Sequence, residues 1–534
     1  MLTYSTRRWL AGLGVAGAFV AASASPAIAA TEEAPLELGV YFGNTTIAAD
    51  SAGKVESATI YSSAPVVLRD LTVRYDYRSL ADKVTLAEDA ETSTECTTPE
   101  KGVLLCTAPW EVGLDEWGLA GIFPVVIAPT DSAKDGDTGT VKATLSAAGL
   151  EAVSHDATIR VGEGVDLAAG PAAEVSAAPG EKFTSALTIS NAGETVATGA
   201  SVFFYNDHGI RAEKHYNNCT YVDDQLRSCH FGENLAPGAT YGVDLSYQLG
   251  KDTYAPGSQY GEIVWMTPAE FEDFDAYLDS EGVSAGKPGT DGKLTLAELG
   301  TKAGARGYQA DTEPENNWSS LEVTVTGKNG TDLEAIGDSA SGKKGDRVDV
   351  TIGFRNNGPA TLDYSRGGSA VTHMSVEIPT NTTVVAAPDF CAPVNGEEWG
   401  EWGEPGGRVY GCYPTPFIKA GDQEAADFTL RIDKVVLNDT GTVKINVPCQ
   451  CDGGFYADLK PANDTAKILV NAATGQGGGQ DGGQDGGGEG GGDGGGLPVT
   501  GQSTGLIAGL GALLLAAGVG GYLVAKRRRT RFVA

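Results

Sequence analysis

The sequence predicts an all-β chain built of tandem β-sandwich domains, on three observations. Apolar and polar residues alternate in short runs: Leu71-Thr72-Val73-Arg74-Tyr75-Asp76-Tyr77, Val243-Asp244-Leu245-Ser246-Tyr247, Phe428-Thr429-Leu430-Arg431-Ile432 and Val443-Lys444-Ile445-Asn446-Val447. Period-two alternation turns every second side chain to one face, as in a strand with one buried side. Gly, Pro, Asn and Asp fill the gaps and helical stretches are few, which favours packed antiparallel sheets. The chain also repeats itself, as a sandwich array does.

In that repeat, Gly180-Glu181-Lys182-Phe183 through Asn191-Ala192-Gly193 aligns without gaps on Gly345-Asp346-Arg347-Val348 through Asn356-Asn357-Gly358. Phe183, Leu187 and Ile189 fall on Val348, Ile352 and Phe354. Cys229 stands before Gly238 at the spacing that separates Cys412 from Gly421, and Pro314-Glu315-Asn316-Asn317 matches Pro461-Ala462-Asn463-Asp464. Two domains of one kind, residues 164–328 and 329–472, follow from these matches. At these residues the chain resembles the Ig-like repeat of bacterial surface proteins, a family catalogued as a domain of unknown function. The shared features are Gly-(Asp/Glu)-x-apolar, a strand ending in Asn-x-Gly, paired cysteines, the turn Leu235-Ala236-Pro237-Gly238 and a closing Asn-Asn or Asn-Asp strand. The resemblance implies Ig-like sandwiches in an extracellular setting. The third domain departs from it with Ile418-Lys419-Ala420-Gly421, and residues 30–163 align poorly but share strands and a cysteine pair, a divergent Ig-like unit.

In chain order, residues 1–29 read as an export signal. Arg7 and Arg8 form a basic start, residues 10–22 an apolar stretch, and Ala27-Ile28-Ala29 a small-x-small cleavage site, with cleavage near Ala29. Ser5-Thr6-Arg7-Arg8-Trp9-Leu10 partly resembles a twin-arginine signal; the general secretory route is favoured.

Eight cysteines fall two, two and four along the chain. In an exported chain they read as local disulfides: Cys96–Cys106, Cys219–Cys229 and, by analogy of position, Cys391–Cys412. The last four allow three connectivities, one of which pairs Cys449 with Cys451 across a strained span. A zinc site would need CxxC-type pairs, which are missing.

The second domain holds an insert, residues 266–311. Thr267-Pro268-Ala269-Glu270 predicts a helix start, with an N-cap, Pro at N1 and a capping-box glutamate; Phe271, Phe274 and Leu278 share one face beyond it. Asp291-Gly292-Lys293-Leu294-Thr295-Leu296-Ala297-Glu298 resembles the second half of an EF-hand loop, which would make Asp291 and Glu298 calcium ligands. Lys287 and Gly289 occupy ligand positions of its first half, and Thr295-x-x-Glu298 is also a capping-box pattern. No metal and no cofactor is expected.

Residues 473–496 are nearly all Gly with Gln, Asp and Glu, a linker that cannot bury a core. Then come Leu497-Pro498-Val499-Thr500-Gly501, an apolar stretch at 506–525 long enough to cross a bilayer, and Lys526-Arg527-Arg528-Arg529-Thr530-Arg531. In that order they resemble the sorting signal of sortase-anchored wall proteins of Gram-positive bacteria, the actinobacteria in particular. The resemblance implies cleavage between Thr500 and Gly501, with Thr500 linked to peptidoglycan. The sortase supplies the nucleophile; this chain supplies the substrate, and Pro498 biases Leu497 to an extended backbone. The protein would be secreted, held in the plasma membrane through residues 506–525 only as a precursor, then joined to the wall.

The net charge is −32. Loss of the leader's two and the tail's five basic residues leaves 31 basic against 70 acidic, a net −39. Such a surface repels nucleic acid and anionic lipid. No HExxH occurs among the motifs, and only five histidines are present. His208, His215 and His230 gather with Asp207 around Cys219 and Cys229, where loop histidines are usually solvated. The expected function is structural or adhesive, toward an extracellular ligand the sequence does not name, without enzymatic activity. The alternatives are a sortase-polymerised pilus subunit and a wall-anchored hydrolase.

Overall fold

The structure, a computed structural model, describes residues 36–472 except 90–93, 115–117, 300–307, 397 and 449–456. The export signal, the Gly-rich linker, the sorting signal, and Cys449 and Cys451 lie outside the described residues.

Strands dominate, and they form three sandwiches on one plan. In the first, one sheet runs Leu38–Phe42, Lys54–Ser62, Leu119–Pro129, Val84–Glu88. The other runs Thr45–Ala48, Val153–Val165, Thr138–Ser146, Thr72–Asp76, Val103–Thr107, Glu95–Glu100. The second domain repeats this order with Leu167–Ala169, Lys182–Asn191, Thr240–Leu249, Ile210–Ala212 facing Ala173–Ala177, Trp318–Asn329, Ala255–Met266, Ala200–Asn206, Gln225–Phe231, Cys219–Val222. The third does so with Leu333–Ile336, Arg347–Asn356, Gln423–Ile432, Thr382–Ala386 facing Asp338–Ala340, Thr465–Val470, Asp439–Lys444, Met374–Glu377, Val409–Cys412, Cys391–Asn395. The poorly aligning first region thus shares the topology of the other two. In each domain the first strand divides between the sheets, and its second half lies parallel to the last strand. Each sandwich closes over its own core: Phe42, Ile60, Tyr75 and Phe123 in the first; Leu187, Phe204, Tyr247 and Trp265 in the second; Phe354, Tyr410 and Phe428 in the third.

The repeated Asn-x-Gly has a physical reason. Asn191 is fully buried; its Nδ2 donates to the Thr195 and Leu235 carbonyls and its Oδ1 accepts from the Gly193 amide. Asn356 does the same with Ala360, Ile418 and Gly358. One amide side chain therefore ties the strand end to the facing turn and satisfies carbonyls that burial would leave unpaired. The change from Leu-Ala-Pro-Gly to Ile418-Lys419-Ala420-Gly421 keeps what matters: the Ile418 carbonyl receives the bond, and Gly421 holds a φ of +94°, as Gly238 holds +69°. The matched Pro314 and Pro461 each open one turn of 3-10 helix before the closing strand.

Three disulfides join cysteines directly opposite each other on neighbouring strands of one sheet: Cys96–Cys106, Cys219–Cys229 and Cys391–Cys412. They clamp a hairpin at the edge of the longer sheet in each domain.

The sequence misplaces two elements. The run Val443 to Val447 ends as a strand at Lys444, because Asn446 takes a φ of +53° and its amide reaches Asp464. Thr295 to Glu298 starts no helix; Leu294 and Leu296 point into the second core from an extended chain, and Ala297–Glu298 pairs with Thr240–Leu249. The predicted helix does form, over Pro268–Ser280. The Thr267 hydroxyl accepts from the Glu270 amide and the Glu270 carboxylate accepts from the Thr267 amide. Phe271 and Leu278 bury against Phe203, with Phe274 packed beside them.

Candidate functional site

The three histidines adjacent in sequence part company in the fold. His208 faces the third domain, its ring edge-on to Phe417, and Arg211 donates to its Nε2 at 2.9 Å. His215 lies near Asp224, with Nε2 3.2 Å from Oδ1, and tilts over Tyr221. His230 sits against the insert helix, edge-on to Phe271. No shared acid-base or metal centre arises from them. Among the described residues no group of three His, Cys, Asp or Glu is placed to hold a metal. The Asp291 carboxylate accepts from the His215 amide at 2.7 Å, whereas Glu298 stands opposite Tyr241 on a strand, so the calcium candidates serve separate parts of the insert.

Around His230 is an open cleft of about 410 Å³, lined by Thr198, Ser201, Phe271, Glu272 and Asp275 among others. Ser201 Oγ lies 3.0 Å from His230 Nδ1, and the other ring nitrogen meets Ser228 Oγ at 3.5 Å. Burial lowers the imidazole pKa, with Asp275 opposing. A nucleophile and a base are in reach of each other, but the base is oriented by a second hydroxyl rather than by a carboxylate.

The insert helix builds the first interdomain junction. Glu270 pairs with Lys54 of the first domain, and Asp273 accepts from Thr46 at 2.6 Å and pairs with Arg160. Gln309–Asp311 adds a parallel strand to Val153–Val165. Burial dominates the electrostatics. It pushes Glu56 up to about 7 against the pull of Lys54, although the residue is only half-buried; its carboxyl end is the enclosed part. It lifts Asp311 to about 6 and raises Asp273. Burial would raise Glu270 too, but Lys54 and the amides of Asp311 and Thr267 bring it below its ordinary value.

The third domain carries a feature the sequence reasoning passed over. Its disulfide spans a separation of 21 residues, against 10 in the other two domains. The longer hairpin brings Trp399 and Trp402 to the surface, 45% and 54% exposed. The ring centroid of Trp399 is 5.9 Å from Tyr413 and 6.0 Å from Trp402, and Tyr413 stacks on His373 at 4.7 Å. Gly411 makes room: a β-carbon there would lie 2.3 Å from the Trp399 ring. The Glu404 carboxylate accepts from the Glu401 amide and lies over Gly400, between the two tryptophans in the chain. None of the ion pairs among the described residues includes Glu398, Glu401 or Glu404. Arg408, nearest in sequence, gives its guanidinium to the Thr382 and Ile378 carbonyls. The signal for this ledge was present in the sequence, as tryptophans spaced by Gly and Glu between two cysteines of unusually wide separation.

No protein-family model matches the chain, and no curated protein matches it. Among solved structures, a complex of Dpr2 Ig1-Ig2 with DIP-Theta Ig1-Ig3 aligns over 82% of this chain and 99% of its own, at 8% identity and a TM-score of 0.18. Alpha-2-macroglobulin of Escherichia coli aligns over 82% of this chain and 33% of its own, at 11% identity and a TM-score of 0.13. A cohesin–dockerin complex of Clostridium thermocellum aligns over 26% of this chain and 99% of its own, at 12% identity and a TM-score of 0.16. At such scores these likenesses carry no argument, and the site rests on its own geometry.

Proposed function

We propose that the protein is exported, joined by a sortase through Thr500 to peptidoglycan, and serves there as a structural or adhesive arm without chemistry of its own. One observation carries the reading: Leu497-Pro498-Val499-Thr500-Gly501 followed in order by an apolar stretch and a basic tail. The three intradomain disulfides support an oxidising compartment, since such bonds persist outside the cytoplasm. The excess of 70 acidic over 38 basic residues supports a soluble surface role. The test is extraction. Wall hydrolase is expected to release the wild type lacking Lys526 and its neighbours, whereas Pro498→Ala and Thr500→Ala leave a membrane-bound precursor with the tail intact. Release of intact wild type by detergent alone would sink the proposal.

A further inference from the structure

We propose that the hairpin ledge of the third domain, Trp399, Trp402 and Tyr413 bordered by Glu398, Glu401 and Glu404, binds arginine side chains of a basic polypeptide. The proposal goes beyond wall attachment and does not depend on it.

Four observations converge. The ledge is an addition: the same disulfide-clamped hairpin exists in the other domains without it. Its two indoles are exposed although they bury no core, and a glycine is kept at 411 so that one of them lies on the sheet. Exposed aromatic rings, with the Glu404 carboxylate over Gly400 between them and Glu398 and Glu401 next to them in the chain, none of these acids in an ion pair among the described residues, make a surface of negative potential with flat π faces, which attracts a cation. The neighbouring imidazole adds no opposing charge at neutral pH, since burial lowers the His373 pKa.

The second interdomain junction shows which cation fits. There Arg366 lies over the Tyr205 ring, 4.5 Å from its centroid, and pairs with Asp207 at 2.9 Å and Glu262 at 3.0 Å. An aromatic face with carboxylates at its edge is thus a guanidinium seat already used within this chain. A guanidinium stacks flat on a ring and presents its N–H groups in the plane, where an ammonium does neither. The ledge is open rather than a closed cage, so it suits a side chain displayed on a polypeptide. The net charge of −32 draws such a partner in from a distance.

The test uses the purified full chain in mild detergent and titration calorimetry. The probes are a short peptide of alternating arginine and serine, its lysine counterpart, and a neutral oligosaccharide of β-linked glucose. The arginine peptide is expected to bind more tightly than the lysine peptide. Trp402→Ala is expected to weaken it about two- to fivefold, and Trp399→Ala with Trp402→Ala about tenfold, without any change of charge. Gly411→Ala, which displaces Trp399, is expected to weaken it as well. If the packed Trp399 variant fails to fold, the exposed Trp402→Ala alone decides. Equal binding by wild type and Trp402→Ala means general acidity, not the ledge, holds the peptide. No binding by wild type, or a neutral sugar that binds and is lost on Trp402→Ala, also overturns the proposal. Failure of wall attachment would show in the extraction experiment and leave these titrations unchanged.

Discussion

The two interdomain junctions hold their domains with different electrostatics. At the first, acids are enclosed and burial raises Glu56, Asp273 and Asp311 toward the neutral form. At the second, Asp252 is held well below the carboxylate range by His208, with the Thr361 hydroxyl and Arg211 adding to it. Its side chain accepts from Thr361 at 2.7 Å and from Arg211 at 3.1 Å. Asp207 goes the other way within that junction: burial raises it although Arg366 sits on it. The first junction is a packed interface with a helix and an added strand. The second is a set of charged contacts around the links 250–253 and 361–366, partly open to water. What the difference teaches is that burial, not the number of charges, decides how a joint responds to its surroundings.

The most severe break is expected from Arg160→Ala. It leaves the Asp273 carboxylate buried without its cation, at a cost of about 3–5 kcal/mol. Scanning calorimetry is expected to show the first domain unfolding at a lower temperature than the third. An unchanged profile would mean Asp273 takes a proton instead.

Next comes pH. Glu56 and Asp311 have folded values above their unfolded ones, so their contribution is complete below about pH 4 and is lost as pH rises through about 6 to 7. Asp252 is depressed, so its contribution is present above about pH 4 and lost only on stronger acidification. Raising the pH from 5 to 8 is therefore expected to loosen the first junction by up to roughly 4 kcal/mol, with no contribution from Asp252. Thermal melts of Glu56→Gln across that range should lose most of the slope; a slope as steep as the wild type's assigns the effect elsewhere.

A smaller effect is expected from Arg366→Ala. It removes the cation over Tyr205 and leaves Asp207 unpaired, for about 2 kcal/mol at the second junction alone. Thr361→Val removes one hydroxyl bond to Asp252 and is expected to cost about 1 kcal/mol. Small-angle scattering of both variants at neutral pH checks whether the second joint moves while the first stays. Equal loosening of both joints would erase the contrast drawn above.

Local chemistry was legible in the sequence and long-range pairing was not. Thr267 and Glu270 announce a helix start because capping partners lie three residues apart. The Asn-x-Gly repeat announces two like domains, since its bonds run within one turn and to the facing loop. Asp273 gave no such notice. Its partners Thr46 and Arg160 are distant in sequence, and one acid among 70 acidic residues does not stand out. The histidines separate for the same reason in reverse: near one another on the chain, they sit on strands and loops that leave in different directions. The topology of the first domain was hidden because its strands keep the pattern of alternation while changing the residues that fill it.

The parallel pairing of each domain's divided first strand with its last strand has a mechanical consequence. Tension on the chain enters a domain near the first strand and leaves by the last. Because the two run side by side in the same direction, tension slides one along the other, and the hydrogen bonds between them share the load instead of opening in turn. Four residue pairs stand in register in the first domain, five in the second and three in the third. The disulfide hairpins lie on the opposite edge of the sheet, outside that line of force. Under tension the third domain, next to the Gly-rich linker, therefore has the shortest shear contact and yields first, while the second outlasts both its neighbours.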